Sequence, residues 1–325
     1  MARHALDDDL RDLAASARAE LVREIDASGA WAADPVWREA FEAVPRHLFV
    51  PYYYIGILGG YVRRTCDESD PGLREQWLRG AYEDAPLATR VRHGELLSSS
   101  SQPSLMAQML AELEVEDGNA VLEIGTGTGY NAALLCHRLG DGLVTTVDLD
   151  PEITETARGQ LAAAGYHPTV VTGDGARGVP ERAPFDRIIA TCALPTVPHA
   201  WLGQCRPGAR ILAPLATGLI ALRVREGGHA EGRFLPTAAY FVPLRGGTPS
   251  EPEQDLGGLP RRARGHDLFR FLLGLTRQSL TPYEAYALWE HERQPERDRF
   301  GITVSGDRSW AWLDDPEGPY TWPLP

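Results

Sequence analysis

The amino-acid sequence predicts an α/β chain of the Rossmann-like kind, with a helical N-terminal region and a C-terminal extension. Three observations carry that expectation. Between about residues 91 and 247, short apolar runs alternate with amphipathic stretches, the pattern of a parallel sheet with helices on both faces. A glycine-rich turn, Gly125–Gly129, follows one of those runs directly. The composition changes on either side of the block, to a long helical pattern before it and a Pro-, Gly- and acid-rich stretch after it. The 325 residues, 43% of them hydrophobic, suffice for a substantial core.

Element by element, Leu10, Leu13, Ala14, Ala17, Leu21 and Ile25 recur at helical spacing within residues 6–26, and a shorter helix is expected over 35–43. The run Val44-Pro45-Arg46-His47-Leu48-Phe49-Val50-Pro51 follows, bounded by prolines; the stretch around Tyr52–Tyr54 and Tyr61 takes no assignment. Residues 103–113 read as a helix with proline in its first turn. Strands are expected over 120–124, 144–148, 169–172, 185–191, 210–214 and 220–225, and helices over 130–139, 151–164 and 199–205. Residues 248–260 read as a linker, 267–275 and 282–292 as helices, and 300–325 is rich in tryptophan. The expected organisation is a cover region over 1–90, a ligand-binding domain over 91–247, and an extension over 248–325 that recognises substrate.

The net charge of -13 argues against a nucleic-acid partner and against an anionic membrane surface. No apolar run is long enough to span a bilayer, and residues 1–9 lack the apolar core of a secretion signal, so the expected location is the cytoplasm. Cys66, Cys136, Cys192 and Cys205 show neither C-x-x-C nor zinc spacing and read as reduced thiols, so no metal is expected. A monomer is the expected state.

The glycine turn carries the first chemical clue. Gly125, Gly127 and Gly129 permit positive φ and close approach of a ligand. Glu123 stands on the strand before the turn, Asp148 ends the next strand, and Asp174 and Gly175 follow the one after. A carboxylate at Asp148 can accept ribose hydroxyls, and one at Asp174 an adenine amine. Three acids around one loop suit a cationic sulfonium and would repel a pyrophosphate. The G-x-G-x-G spacing also differs from the dinucleotide pattern, and no phosphate-loop motif is present. S-adenosylmethionine (SAM), leaving S-adenosylhomocysteine as product, is the expected cofactor. Thr126, Tyr130 and Leu149 are expected among its contacts. The alternative is a tight structural turn with surface acids.

Taken together, these residues resemble the protein-L-isoaspartate O-methyltransferases. The resemblance covers about residues 44–217 and rests on Val44–Pro51, Ser99-Ser100-Ser101-Gln102-Pro103-Ser104-Leu105-Met106-Ala107, the loop from Val121, Gly173-Asp174-Gly175 and Ala183–Thr191. It implies a SAM-dependent methyltransferase fold and a carboxylate acceptor. Ser101 matches the family's active-site serine and Ser99 the residue two before it. Ser99, Ser101 and Thr191 are therefore the expected catalytic residues, with Ser98, Ser100, Gln102 and His47 at the substrate. Ser101 could equally cap the following helix, and His47 could be an ordinary packed histidine.

An ionised carboxylate needs no general base, so positioning by hydroxyl donors suffices. The chain runs some 80 residues past the end of a typical repair enzyme. Its tail, with Trp310 and Trp312, looks like the extension on methyltransferases of graspetide gene clusters. That second resemblance implies a different partner: an aspartate in a cross-linked precursor peptide, whose methyl ester closes to an aspartimide. The acidic enzyme is expected to repel the unmodified, acid-rich precursor and so to act after cross-linking. Alternatively, Trp310, Trp312 and Trp322 form a small core of their own.

Overall fold

A computed structural model describes residues 6–57, 60–92, 94–246 and 254–325. The chain divides into two compact units. One comprises the residues up to Asn119 together with Gly125–Gly173, and the other Ala120–Ile124 together with Asp174–Pro325. Residues 1–5 and 247–253, the latter including the first six residues of the expected linker, lie outside the described residues. No helix among the described residues is long and apolar enough to cross a membrane.

The first unit opens on α1 (Asp8–Ser28), capped by Asp7, whose carboxylate accepts from the Leu10 amide at 3.0 Å, and stopped by Gly29 in the left-handed region. Its stripe buries Leu10, Ala14, Leu21 and Ile25, as the spacing predicts. Helix α2 (Trp37–Ala43) buries Trp37 and Phe41. The chain then departs from the expected helical cover. Strands β1 (Tyr52–Ile57), β2 (Gly60–Thr65), β3 (Leu87–Arg92) and β4 (Glu95–Ser100) form an antiparallel sheet in the order β2-β1-β3-β4, with α3 (Pro71–Ala81) inserted between β2 and β3. Tyrosines and arginines occupy both faces of β1 and β2, which erases the polar–apolar alternation that marks a half-buried strand. The serine run thus ends a strand before α4 (Pro103–Glu112) begins.

Strand β5 (Val121–Ile124) belongs to the second unit and runs covalently into the glycine turn of the first. After the turn, α5 (Tyr130–Leu139), β6 (Val144–Asp148), α6 (Pro151–Ala164) and β7 (Thr169–Thr172) follow as expected, with β6 and β7 parallel.

In the second unit, β8 (Phe185–Ala190) pairs in parallel with β5 and with β9 (Cys205–Leu215). From β9 the sheet turns antiparallel. β10 (Gly218–Arg225) follows β9 across only Ala216 and Thr217, and a two-residue connection can join only antiparallel strands. β11 (His229–Ala238), β12 (Phe300–Ser305), β13 (Arg308–Leu313) and β14 (Thr321–Pro323) continue it, so the α/β sheet is mixed rather than wholly parallel. The C-terminal segment therefore adds strands to an existing sheet edge. Gly301 makes this possible: a Cβ there would lie 2.1 Å from the Trp312 ring, which fills the space instead. Trp312 and Trp322 are buried, and the Trp312 indole donates to Thr303 Oγ1 at 3.0 Å. Of the three tryptophans in these last strands, Trp312 and Trp322 build core while Trp310 stays half-exposed.

Candidate active site

Three positive φ angles shape the turn: +100° at Gly125, +51° at Gly127 and +82° at Gly129. At Gly129 space as well as angle favours glycine, since a Cβ would stand 3.1 Å from Leu161. The turn is tied to β6. The amides of Gly125 and Thr126 donate to the Val147 carbonyl at 2.8 and 3.2 Å, and the Thr126 and Thr146 hydroxyls are hydrogen-bonded at 2.8 Å. Asp148, 8% exposed, receives the Gly127 amide on one carboxylate oxygen at 3.2 Å and the Asp150 amide on the other at 3.3 Å. The carboxylate is thereby fixed at the carboxyl end of its strand, where ligands bind in such sheets. Leu149 beside it presents a 39% exposed apolar side chain.

Strand β4 passes over this turn. A Cβ on Gly127 would meet Ser98 Oγ and the Ser99 carbonyl, each at 3.7 Å. Serines and glycine turn thus share one place, lined further by Tyr52, Thr89 and Thr128. Ser98 is buried and accepts from the Thr89 hydroxyl at 3.3 Å. The helix start is served from elsewhere: the Asp84 carboxylate accepts the Ser104 amide at 2.8 Å and the Gln102 side-chain amide at 3.1 Å. Ser101 therefore does not cap α4, and its half-buried hydroxyl, like that of Ser99, has no partner among the described residues. Gln102 is engaged with Asp84 and Ser104.

Sequence reasoning underrated Arg46. Its side chain is fully buried and donates to the carbonyls of Ala81, Glu83, Ala85 and Ser101 at 2.9 to 3.2 Å, and to Ser100 Oγ at 3.4 Å. Burial pulls its pKa down to about 10, so it stays charged at neutral pH. One guanidinium therefore pins the end of the serine run to the segment before β3. The sequence signal was a lone charge inside an apolar, proline-bounded run, which folding tolerates only when most of its donors find acceptors, here both terminal nitrogens.

His47 lies elsewhere. Its Nδ1 meets the Tyr82 hydroxyl at 2.7 Å, and it lines a separate 400 Å³ hollow with Arg11, Arg18 and Leu48. Burial, and then Arg18, pull its pKa down to about 4. Tyr130 packs its ring against Phe41 and Phe49, so the helix start, not the phenol, faces outward from the turn.

In the second unit, Glu123 is 1% exposed on β5. Thr191 donates its amide and its hydroxyl to the Ile124 carbonyl at 2.9 and 3.2 Å, which holds the ends of β8 and β5 together. Asp174 accepts the Ala176 amide at 3.0 Å. Gly175 has no room for a side chain, because a Cβ would come 2.7 Å from Ile124.

The family model for protein-L-isoaspartate(D-aspartate) O-methyltransferase matches residues 72–247. A protein-L-isoaspartate O-methyltransferase of Hyperthermus butylicus is 35% identical over 245 residues, covering 71% of this chain and 89% of that protein. One from Ignicoccus hospitalis is 35% identical over 232 residues, covering 69% and 95%. A solved structure described as a protein-L-isoaspartate O-methyltransferase superposes with a TM-score of 0.62 at 23% identity, over 94% of this chain and 98% of its own. A Plasmodium falciparum protein described as a putative member of that class, in complex with S-adenosyl-L-homocysteine, superposes with a TM-score of 0.53 at 14% identity, over 70% of this chain and 97% of its own.

Proposed function

This chain belongs to the protein-L-isoaspartate(D-aspartate) O-methyltransferase family, and from that premise we propose that it methylates the side-chain carboxylate of an isoaspartyl residue in a polypeptide, at the place where β4 crosses the glycine turn. It is a SAM-dependent carboxyl O-methyltransferase. SAM supplies a methyl group made electrophilic by the sulfonium. The residues fit that cofactor: a turn of three glycines with a carboxylate, Asp148, locked at the strand end beside it. Asp148 takes the ribose hydroxyls and Leu149 covers the base. The roles of Glu123, Asp174, Gly175 and Thr191 rest on their positions in the family motif.

The observation that carries the reading is the contact of Ser98 and Ser99 with the Gly127 position. It sets the Ser98 hydroxyl and the Ser99 backbone beside the cofactor turn. In this reading Ser99 and Ser101, whose hydroxyls have no partner among the described residues, donate to the acceptor carboxylate without introducing a cation that would oppose the sulfonium. That carboxylate is ionised at neutral pH and attacks unaided. Bound SAM would supply the methyl carbon and its sulfur would keep the electron pair of the broken bond, so the transfer would ask no proton movement of the protein. The residues contribute orientation and exclusion of water.

A second reading takes an ordinary aspartate of a cross-linked, graspetide-type precursor as acceptor, with the C-terminal extension recognising it. One observation favours it: a 440 Å³ hollow beside Trp310, Trp322 and Pro316, in a segment beyond the family match. Against it, the solved structure covering 94% of this chain leaves too little uncovered to omit that segment, so the extension's fold is not peculiar to peptide-modifying enzymes.

Intact mass spectrometry separates the readings. Enzyme and SAM are incubated with an isoaspartyl peptide, its aspartyl isomer and a cross-linked acidic peptide. One methyl gained on the isoaspartyl peptide alone supports the first reading. Methylation of the cross-linked peptide, followed by loss of methanol, with the isoaspartyl peptide untouched, would replace it with the second.

A further inference from the structure

The sheet that sequence reading missed carries a surface with no assigned role. Tyr52, Tyr54 and Tyr61 share one face of β1 and β2 with Arg63, because residues opposite each other in register, and every second residue along a strand, point the same way. Arg63 stands 4.2 Å over the Tyr52 ring, and Tyr52 meets Tyr54 edge-on at 6.1 Å. Tyr61 is 49% exposed and Arg63 is exposed. Among the described residues Arg63 has no carboxylate partner, unlike Arg90, which pairs with Glu152 and Asp150. Tyr52 also lines the cleft that contains Ser98 and Gly127, so the strip ends at the site described above. The family match begins only at residue 72, after β2.

We infer that this strip is the docking track for the polypeptide substrate, and that it selects an extended segment bearing an acidic residue a few positions from the acceptor. The inference deepens the proposed function and rests on it for the acceptor. The partner's chemistry follows from the strip's own. Aromatic faces take apolar side chains and backbone at little entropic cost. An unpaired guanidinium on a chain of net charge -13 is a local exception that attracts a carboxylate. Continuity with the serine cleft sets the direction in which the segment runs.

The test measures binding and transfer separately. Fluorescence anisotropy with the full chain compares two labelled isoaspartyl peptides, identical except that flanking glutamates in one are glutamines in the other. The acidic peptide is expected to bind about three- to fivefold tighter at low salt, the range of one exposed ion pair, with the advantage fading at high salt. Arg63→Glu is expected to abolish that advantage and to prefer a third peptide with lysines in the same positions. Arg63 is exposed, so the variant is expected to fold, which circular dichroism checks. Equal affinities for the glutamate and glutamine peptides, or an unchanged order in Arg63→Glu, would overturn the track. Charge-dependent binding without methyl transfer to any peptide would instead overturn the reaction proposed above and leave the track standing.

Discussion

At the scale of single residues, the turn and the serine run make separable demands. Gly129→Ala forces a side chain into a left-handed conformation against Leu161. It is expected to lower stability by about 1–2 kcal/mol and to weaken SAM binding, measurable by thermal melting and calorimetry. Asp148→Asn removes the charge and one of the two acceptors, so SAM affinity is expected to fall about tenfold or more and the melting temperature to drop modestly, because either the Gly127 or the Asp150 amide loses its partner. Arg46→Met would leave four carbonyls without their donor, and an expected loss of about 3 kcal/mol or more should appear in denaturant unfolding. His47 adds a pH dependence. Its pKa is about 4 when folded against an ordinary 6.5, so the unfolded chain binds the extra proton between those values. Its contribution, at most about 3 kcal/mol, is complete above the unfolded value and is lost as pH falls toward 4. His47→Gln should flatten the stability profile over that window, and an unchanged profile would assign the acid sensitivity to other groups.

At the scale of elements, sequence reasoning found what periodicity and special residues announce. The strands and helices around the glycine turn were legible because β5, β6 and β8 are short apolar runs and α6 has both a proline start and a glycine stop. The proposed site was read from the same kind of signal: Gly125, Gly127, Asp148 and the serines lie at or beside element ends. β11 was hidden because Gly232 and Pro236 read as strand breakers. In the fold, Gly232 marks instead a close approach, where a Cβ would fall 1.8 Å from the Ala221 carbonyl oxygen. β1 and β2 were hidden because tyrosines and arginines stand on both faces and leave no alternation to read. Arg46 was misjudged because a long-range bridge from residue 46 to 101 leaves no local trace. The terminal tryptophans reward the more modest expectation. Trp312→Ala should cost about 3–5 kcal/mol by opening a cavity in the sheet's added strands, read by chemical denaturation.

At the scale of the whole molecule, the net charge of -13 and the cationic strip on β1–β2 act at different ranges. The former slows approach of acidic polypeptides at low salt, and the latter holds them once they arrive. Raising ionic strength is therefore expected to speed association with an acidic substrate and also to speed its release, which stopped-flow anisotropy would separate. The central claim remains local: the acceptor carboxylate lies under the β4 serines at the glycine turn. The most direct test is methyl transfer from isotope-labelled SAM to an isoaspartyl peptide, comparing the wild type with Ser101→Ala. The Ser101 hydroxyl has no partner among the described residues, so the variant should melt and bind SAM as the wild type does. Its kcat/KM should nevertheless fall about tenfold or more, the worth of a hydrogen bond to a charged group. Undiminished transfer by Ser101→Ala would contradict the account and place the acceptor away from the serine run.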